Sequence, residues 1–289
     1  MRSFAALSIV SLSLVLTCPG VGFADNTEAF QNELGFAYGH TSNSDDTFDT
    51  TILQFEAVHF LQPVDTANHP LAEAAFLEHA ASIGFLYMQS TTDYTDGFLP
   101  TNVDRTMYAV QFDYASTTSP LTFSAVYAGM TLAVDEFNVD LSGNQALFKL
   151  GSYISGSGRV QGIVSQLDFE GDSTTIIGVD AKFVNDIGND MALGIDGMYY
   201  SREGDSSNGS NQGRGYTIGV DLYPSRMTNI GFTRDWSTYK DPDGSFDYWT
   251  HHFRIKHFLS PQASIAFEYL TTDKDSATDG FNIKISLRI

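Results

Sequence analysis

Apolar and polar side chains alternate singly along this chain, in runs of about ten residues that recur from end to end. In Phe281-Asn282-Ile283-Lys284-Ile285-Ser286-Leu287-Arg288-Ile289, every odd position is apolar and every even position polar. Successive side chains of a strand point to opposite faces, so this period of two predicts a strand with one greasy and one wet face. The same reading predicts strands near 28–40, 50–61, 72–90, 103–116, 121–134, 145–154, 159–169, 174–184, 191–202, 214–223, 228–239, 247–258, 263–272 and 280–289. That makes fourteen segments, with twelve or sixteen also compatible with the pattern. An even number suits a transmembrane antiparallel β-barrel with both ends on one side of the membrane.

A soluble β-sandwich would alternate in the same way, so period two does not decide between the two all-β architectures. Aromatic placement does. Tyr38, Phe60, Tyr87, Tyr108, Tyr199, Tyr223, Trp236 and Trp249 fall near predicted strand ends, as interfacial girdles require, whereas a sandwich more often hides its tryptophans centrally. Connections also alternate in character. Thr117–Pro120, Ser155–Gly158, Asn185–Asp190, Pro224–Met227 and Leu259–Gln262 are short turns rich in Pro, Gly or Asn. The intervening ones are expected to be longer, and they are acidic: Asp45/Asp46/Asp49, Asp93/Asp96/Asp104, Asp135/Glu136/Asp140, Asp168/Glu170/Asp172, Glu203/Asp205, Asp241/Asp243/Asp247 and Asp273/Asp275/Asp279. One segment resists this scheme. Pro70 to Ala81 is rich in Ala and Glu, which favours a short helix or turn at 71–75, with strand expected from about Phe76 because Leu77, Ala81, Ile83, Phe85 and Tyr87 run at period two.

The first 24 residues read as an export signal, with Arg2 as a positive start, an apolar core from Phe4 to Leu16 and a small-x-small site at Gly22-Phe23-Ala24. The mature barrel is then expected over 25–289. Cys18, the only cysteine, lies inside the signal, so the mature chain has neither a disulfide nor a thiolate metal site. A mean hydropathy of −0.12 fits a membrane barrel, in which only alternate residues meet lipid.

Net charge is −20, or −21 once Arg2 is removed with the signal, and its distribution matters more than its size. The outer connections hold most of the acids against Arg202, Lys240 and Lys274. Lumen-facing positions look nearly balanced: Glu56, Glu78, Asp113, Asp180, Asp196, Asp221, Asp235 and Glu268 against Arg105, Lys149, Lys182, Arg254, Lys256, Lys284 and Arg288. A mixed wall with an acidic mouth concentrates cations within a Debye length, roughly 8 Å at physiological ionic strength. Mild cation preference follows, and the acidic balance argues against nucleic acid as a partner.

Little in the sequence points to chemistry. His40-Thr41-Ser42-Asn43 resembles the His-x-Ser motif of outer-membrane phospholipase A and of lipid A deacylases, in which His activates Ser. The Gly that follows in those enzymes is Ser44 here, and Gln54 is the sole orienting candidate. Asp241-Pro242-Asp243-Gly244 and Asp273-Lys274-Asp275 echo calcium-ligand spacing without the closing Glu of the twelve-residue loop. His251 and His257 share one strand face near its ends, as interfacial residues do. No cofactor, metal site or catalytic residue is expected.

The stretch Phe60-Leu61-Gln62-Pro63-Val64-Asp65-Thr66-Ala67-Asn68-His69-Pro70-Leu71-Ala72-Glu73-Ala74-Ala75-Phe76-Leu77-Glu78 resembles the second strand, first turn and third strand of the putative general bacterial porins of gammaproteobacteria. That resemblance implies an outer-membrane porin that passes ions and small hydrophilic solutes among membrane lipids and lipopolysaccharide. It leaves a homotrimer open and supplies no catalytic residues. A barrel lipid hydrolase using His40 and Ser42, or a closed structural or adhesive barrel, are the rival readings. The third outer connection, Asp135 to Asn144, is a constriction candidate by analogy alone. The terminal strand resembles the signal read by the barrel assembly machinery, with Ile289 in place of the usual Phe. Its pairing with Leu34, Phe36 and Tyr38 would close the ring.

Overall fold

A computed structural model describes residues 29–43, 47–67, 69–95, 101–116, 118–134, 139–206, 209–241, 244–272 and 278–289, so the export segment lies outside the described residues. Fourteen strands alternate up and down: β1 (Ala29–Asn43), β2 (Phe48–Asp65), β3 (Ser82–Tyr94), β4 (Thr101–Ala115), β5 (Leu121–Val134), β6 (Val139–Ser155), β7 (Gly158–Phe169), β8 (Asp172–Gly188), β9 (Met191–Ser206), β10 (Gly209–Ser225), β11 (Thr228–Asp241), β12 (Gly244–Ser260), β13 (Ala263–Thr272) and β14 (Thr278–Arg288). Each pairs antiparallel with its neighbours, and β14 pairs with β1 to make a closed barrel. Closure leaves no unpaired edge, the condition under which strands can cross a bilayer.

The seam follows the expected register. Leu34, Phe36 and Tyr38 stand opposite Leu287, Ile285 and Ile283, so apolar side chains meet on the outside face. Gln31 and Asn32 donate backbone N–H bonds of 3.1 and 2.9 Å to the Ile289 carbonyl, which ties the last residue into the ring. The outside is apolar and exposed, as with Phe36 (53%), Ile177 (61%) and Ile255 (52%), while the inward residues are buried or half-buried and include most of the charges, beside an apolar cluster of Leu86, Met107, Ala109 and Ala128. This inverts a soluble core and is the arrangement expected when lipid replaces water around the molecule.

Three expectations are corrected. Strands are longer than the alternation suggests. β6 begins at Val139 and β9 runs to Ser206, so Asp140, Asp168, Glu203, Asp205 and Asp247 sit on strand ends rather than in loops. A fifteen-residue strand tilted by about 40° rises roughly 38 Å, well beyond an apolar band of about 25 Å. The backbone ladder continues above the membrane, where both faces are polar and the period vanishes. Consequently the proposed constriction at 135–144 is strand from Val139 onward, and its first part lies outside the described residues. Third, the longest connection among the described residues is the one between β2 and β3, at the short-turn end. It carries a four-residue helix, α1 (Ala74–Leu77), and β3 starts only at Ser82. No helix among the described residues is long and apolar enough to cross a membrane; the crossing belongs to strands.

Candidate functional site

The inward register of the strands forms a wall of charges arranged mainly as pairs. Arg254 on β12 donates to both carboxylate oxygens of Asp221 on β10, at 2.8 and 3.1 Å, and Asn229 donates to the same group at 2.9 Å. The pair reaches across β11, and it can do so because Gly231 lies between. A Cβ there would collide with the Asp221 carboxylate and come within 3.0 Å of the Arg254 guanidinium. Lys284 on β14 and Glu56 on β2 form an ion pair across β1 in the same manner, past Gly35. Asp180 lies 3.6 Å from both Lys149 and Arg159. His252 bridges Asp235 (3.3 Å) and Glu268 (2.9 Å). Such pairs add little net stability, since desolvation offsets most of the Coulomb gain, but they fix where each charge sits.

From the β2 end, residues 69–81 fold into this lumen and cross to the far wall. Ala74 packs with Phe30, Phe60 and Val64, while Ala72, Phe76 and Leu77 pack against Val184, Ala192 and Tyr223 of β8 to β10. Polar latches hold both sides. Glu73 accepts from the Tyr223 hydroxyl at 2.7 Å and pairs with Lys182 at 2.6 Å. The buried Arg288 donates to the Leu71 carbonyl at 2.8 Å, Leu71 donates its own N–H to the Arg226 carbonyl at 2.9 Å, and Arg226 donates to the Thr66 carbonyl. Phe76 lies beneath the cations of Arg159 and Lys182, at 5.5 and 5.2 Å, and His79 stacks on Tyr153 at 3.6 Å. β2 and β3 stand opposite β9 and β10 in a ring of fourteen, so the segment spans the barrel's turn end.

Of the residues singled out in the sequence, Glu56, Arg105, Asp113, Lys149, Asp180, Lys182, Asp196, Asp221, Asp235, Arg254, Lys256, Glu268, Lys284 and Arg288 lie on strands in the inward register. Asp113 is held by Ser124 at 2.5 Å and by Gln111; Asp196 is in register with Lys182; Arg105 lies between Ser90 and Leu132; Lys256 lies over the Phe258 ring at 5.0 Å. Glu78 is a correction. It follows α1 in the crossing segment and binds His69 at 2.6 Å, because the Ala-rich run turns as helix instead of extending. Phe60 and Tyr223 are corrections to the girdle: both are buried inside against the crossing segment, whereas Tyr38, Tyr87, Tyr108 and Tyr199 are exposed outside. Sequence reasoning missed Glu33, Glu73, Arg159 and His252. Glu33 is fully buried opposite Arg288, and its period-two spacing from Gly35 and Ala37 was the available signal.

His40 and Ser42 face outward on β1. The hairpin brings Asp49 to 3.3 Å from His40 Nδ1, an acidic neighbour the spacing did not suggest. Ser42 makes no hydrogen bond to His40 among the described residues, and the imidazole rests against Phe281, with ring centroids 5.8 Å apart. A charge-orienting contact is present and the nucleophile–base contact is not. Among the described residues no group of His, Cys, Asp and Glu could hold a metal ion. Of the calcium-like strings, residues 242–243 and 273–275 lie outside the described residues.

Comparison with known proteins agrees with this geometry. The family model described as "Putative general bacterial porin" matches residues 4–289. The chain belongs to this porin family. The porin is also similar in fold to the outer membrane protein Omp33 of Acinetobacter baumannii, with a TM-score of 0.57 and 18% identity over 91% of this chain and 99% of that one. The toluene transporter TodX of Pseudomonas putida matches with a TM-score of 0.54 and 9% identity, covering 91% and 89% of the two chains. At such identities the likeness concerns the barrel alone. No curated protein matches the porin. Family and fold place it in the outer membrane as a channel-type barrel.

Proposed function

We propose that this porin is a passive diffusion channel for ions and small hydrophilic solutes, obstructed at its turn end by residues 66–81 in the state described here. The observation that supports the reading most is the crossing segment itself, latched to opposite walls through Glu73–Lys182, Tyr223–Glu73 and Arg288–Leu71. A purely structural barrel could be filled with apolar side chains. Here the wall carries many charges, and the obstruction is one connection held by a few polar contacts together with the apolar packing of Ala72, Ala74, Phe76 and Leu77. Conduction therefore requires movement of that segment and not a remodelling of the barrel.

Selectivity would come from the wall and the outer rim. Many wall charges pair, as in Asp221–Arg254, Glu56–Lys284 and Asp180 with Lys149 and Arg159, whereas Asp140, Asp168, Asp172, Glu203, Asp205 and Asp247 crowd the outer strand ends. Mild cation preference is the consequence, within a screening length of about 8 Å. Residues 1–24 are removed on export, and β14 carries the signal for the barrel assembly machinery. The surroundings are outer-membrane lipids and lipopolysaccharide. N-terminal sequencing of the mature protein at Asp25 tests the first of these statements. Planar-bilayer recording tests the channel: stepwise conductance is expected, and a folded barrel that never conducts would leave the closed structural barrel as the better reading.

A further inference from the structure

Three cations break the outward rule of this barrel. On its lipid-facing side, β10 and β11 present Ile218, Val220, Ile230 and Phe232, each exposed. Continued toward the end opposite residues 66–81, the same two registers present Arg214 and Tyr216 on β10, and Arg234, Trp236 and Lys240 on β11, with Arg214, Arg234 and Lys240 exposed. Every other Lys and Arg on a described strand lies in the inward register. The sequence holds 35 acids to 15 Lys and Arg, so carboxylate partners are abundant. Yet no carboxylate of the described residues lies within ion-pair distance of these three, while inward Lys149, Arg159, Lys182, Arg254 and Lys284 each have one.

Aromatic rings lie against both arginines. Arg234 lies 3.7 Å from the Trp249 ring centroid and Arg214 lies 5.8 Å from that of Trp236. Tyr216 packs between the two indoles, at 5.2 and 5.7 Å. Stacking occupies a guanidinium's face and leaves its donor edge free, the edge that forks onto phosphate. Their depth is suitable. From the exposed Leu259 at the turn end of β12 to His251, the register partner of Arg234, is eight residues, about 21 Å of tilted rise. Arg234 thus sits at the outer border of an apolar band about 25 Å tall, where an outward Arg costs little by itself. In register, Arg214 is opposite Thr238, four residues beyond Arg234, so the Cα atoms are about 14 Å apart. Outward acids nearby, Asp247 opposite Thr238 and Glu203 opposite Gln212, lie toward the rim beyond Arg234.

We infer that this patch binds the phosphate groups of an outer-leaflet glycolipid, the phosphorylated lipid A of lipopolysaccharide, with Arg234 and Arg214 as the phosphate forks, Lys240 adding charge and the Trp236–Trp249–Tyr216 cluster receiving the sugar and upper acyl chains. The inference rests on the outer-membrane placement and is independent of conduction. Charge complementarity selects the occupant: on a strongly anionic protein, a basic patch without carboxylate partners among the described residues and at the outer border of the apolar band matches phosphorylated lipid.

The test uses the full barrel in detergent, followed by native mass spectrometry. Added lipopolysaccharide is expected to bind the wild type, with Arg214→Gln/Arg234→Gln weakened about tenfold or more, and Arg234→Lys in between because charge is kept and the fork lost. Dephosphorylated lipid A should bind the wild type as poorly as intact lipopolysaccharide binds the double variant, and millimolar inorganic phosphate should not compete. Equal binding by wild type and folded double variant, or by intact and dephosphorylated lipid, would overturn the site. Displacement by inorganic phosphate would overturn the lipid assignment in favour of a soluble anion. Heat-modifiable migration reports folding of each variant. Should the double variant not fold, the Arg234→Lys and Lys240→Gln single variants carry the same comparison, and binding unchanged in both would equally overturn it. Failure of the wild type to fractionate with outer membranes would instead refute the placement, which keeps the two failures apart.

Discussion

Replacing Glu73 with alanine removes the polar latch of residues 69–81 to the wall opposite their own strands, leaving the apolar packing of Ala72, Phe76 and Leu77 in place. Two bonds are lost, the one from Tyr223 at 2.7 Å and the one from Lys182 at 2.6 Å. A hydrogen bond to a charged acceptor is worth about 1.5–3 kcal/mol, and the Tyr223 hydroxyl, buried, is left without its acceptor. Lys182 loses less, because Asp196 stands in register with it and can take over its charge, so about 1 kcal/mol is reasonable for that arm. The sum of about 3 kcal/mol shifts the ratio of docked to undocked segment by about a hundredfold. Single-channel recordings in planar bilayers read this directly as the ratio of open to closed time. Glu73→Gln keeps an acceptor for Tyr223 and loses the ion pair, so its shift should be nearer tenfold. If a folded Glu73→Ala barrel opened and closed like the wild type, residues 66–81 would not be the obstruction, or Glu73 would not hold them.

Further expectations concern the wall, the seam and the outward histidine. Gly231→Ala pushes apart Asp221 and Arg254 and should destabilise the barrel by about 1–2 kcal/mol in urea-dependent refolding into lipid; unchanged stability would mean the pair relaxes around the added methyl. Deleting 280–289 removes the partner of β1 and should abolish membrane insertion, and a folded, inserted truncation would refute the closing role of β14. The wild type should release no fatty acid from phospholipid or lipid A, so Ser42→Ala should change nothing in that assay; release lost on Ser42→Ala would revive the hydrolase reading of His40, Ser42 and Asp49.

The barrel was legible because lipid imposes a period of two on every strand at membrane depth, from Leu34 and Phe36 to Ile285 and Leu287. Above that depth the imprint ends. Asp140 to Asn144 and Glu203 to Ser206 are strand by backbone pairing, which is indifferent to side-chain polarity, and no alternation marks them. The wall residues followed from the same period, but their pairing did not. Asp221 finds Arg254 and Glu56 finds Lys284 across an intervening strand, over glycines whose role is visible only in the closed ring. The crossing segment was half legible. Its Ala-rich composition announced a helix, while its destination depends on Tyr223 and Lys182, more than a hundred residues further along the chain.

A hydrophilic, cation-preferring path should exist once residues 66–81 are out of the way. The most direct measurement is the zero-current potential across a planar bilayer under a salt gradient, for the wild type and for a variant in which 61–81 are replaced by a two-residue Asn-Gly turn joining the register partners Phe60 and Ser82. The account predicts intermittent conductance for the wild type, steady and larger conductance for the variant, and in both a reversal potential of the sign that marks cation excess. A folded, inserted variant that passes no current would contradict the channel, and a reversal of the anionic sign would contradict the acidic rim as the source of selectivity.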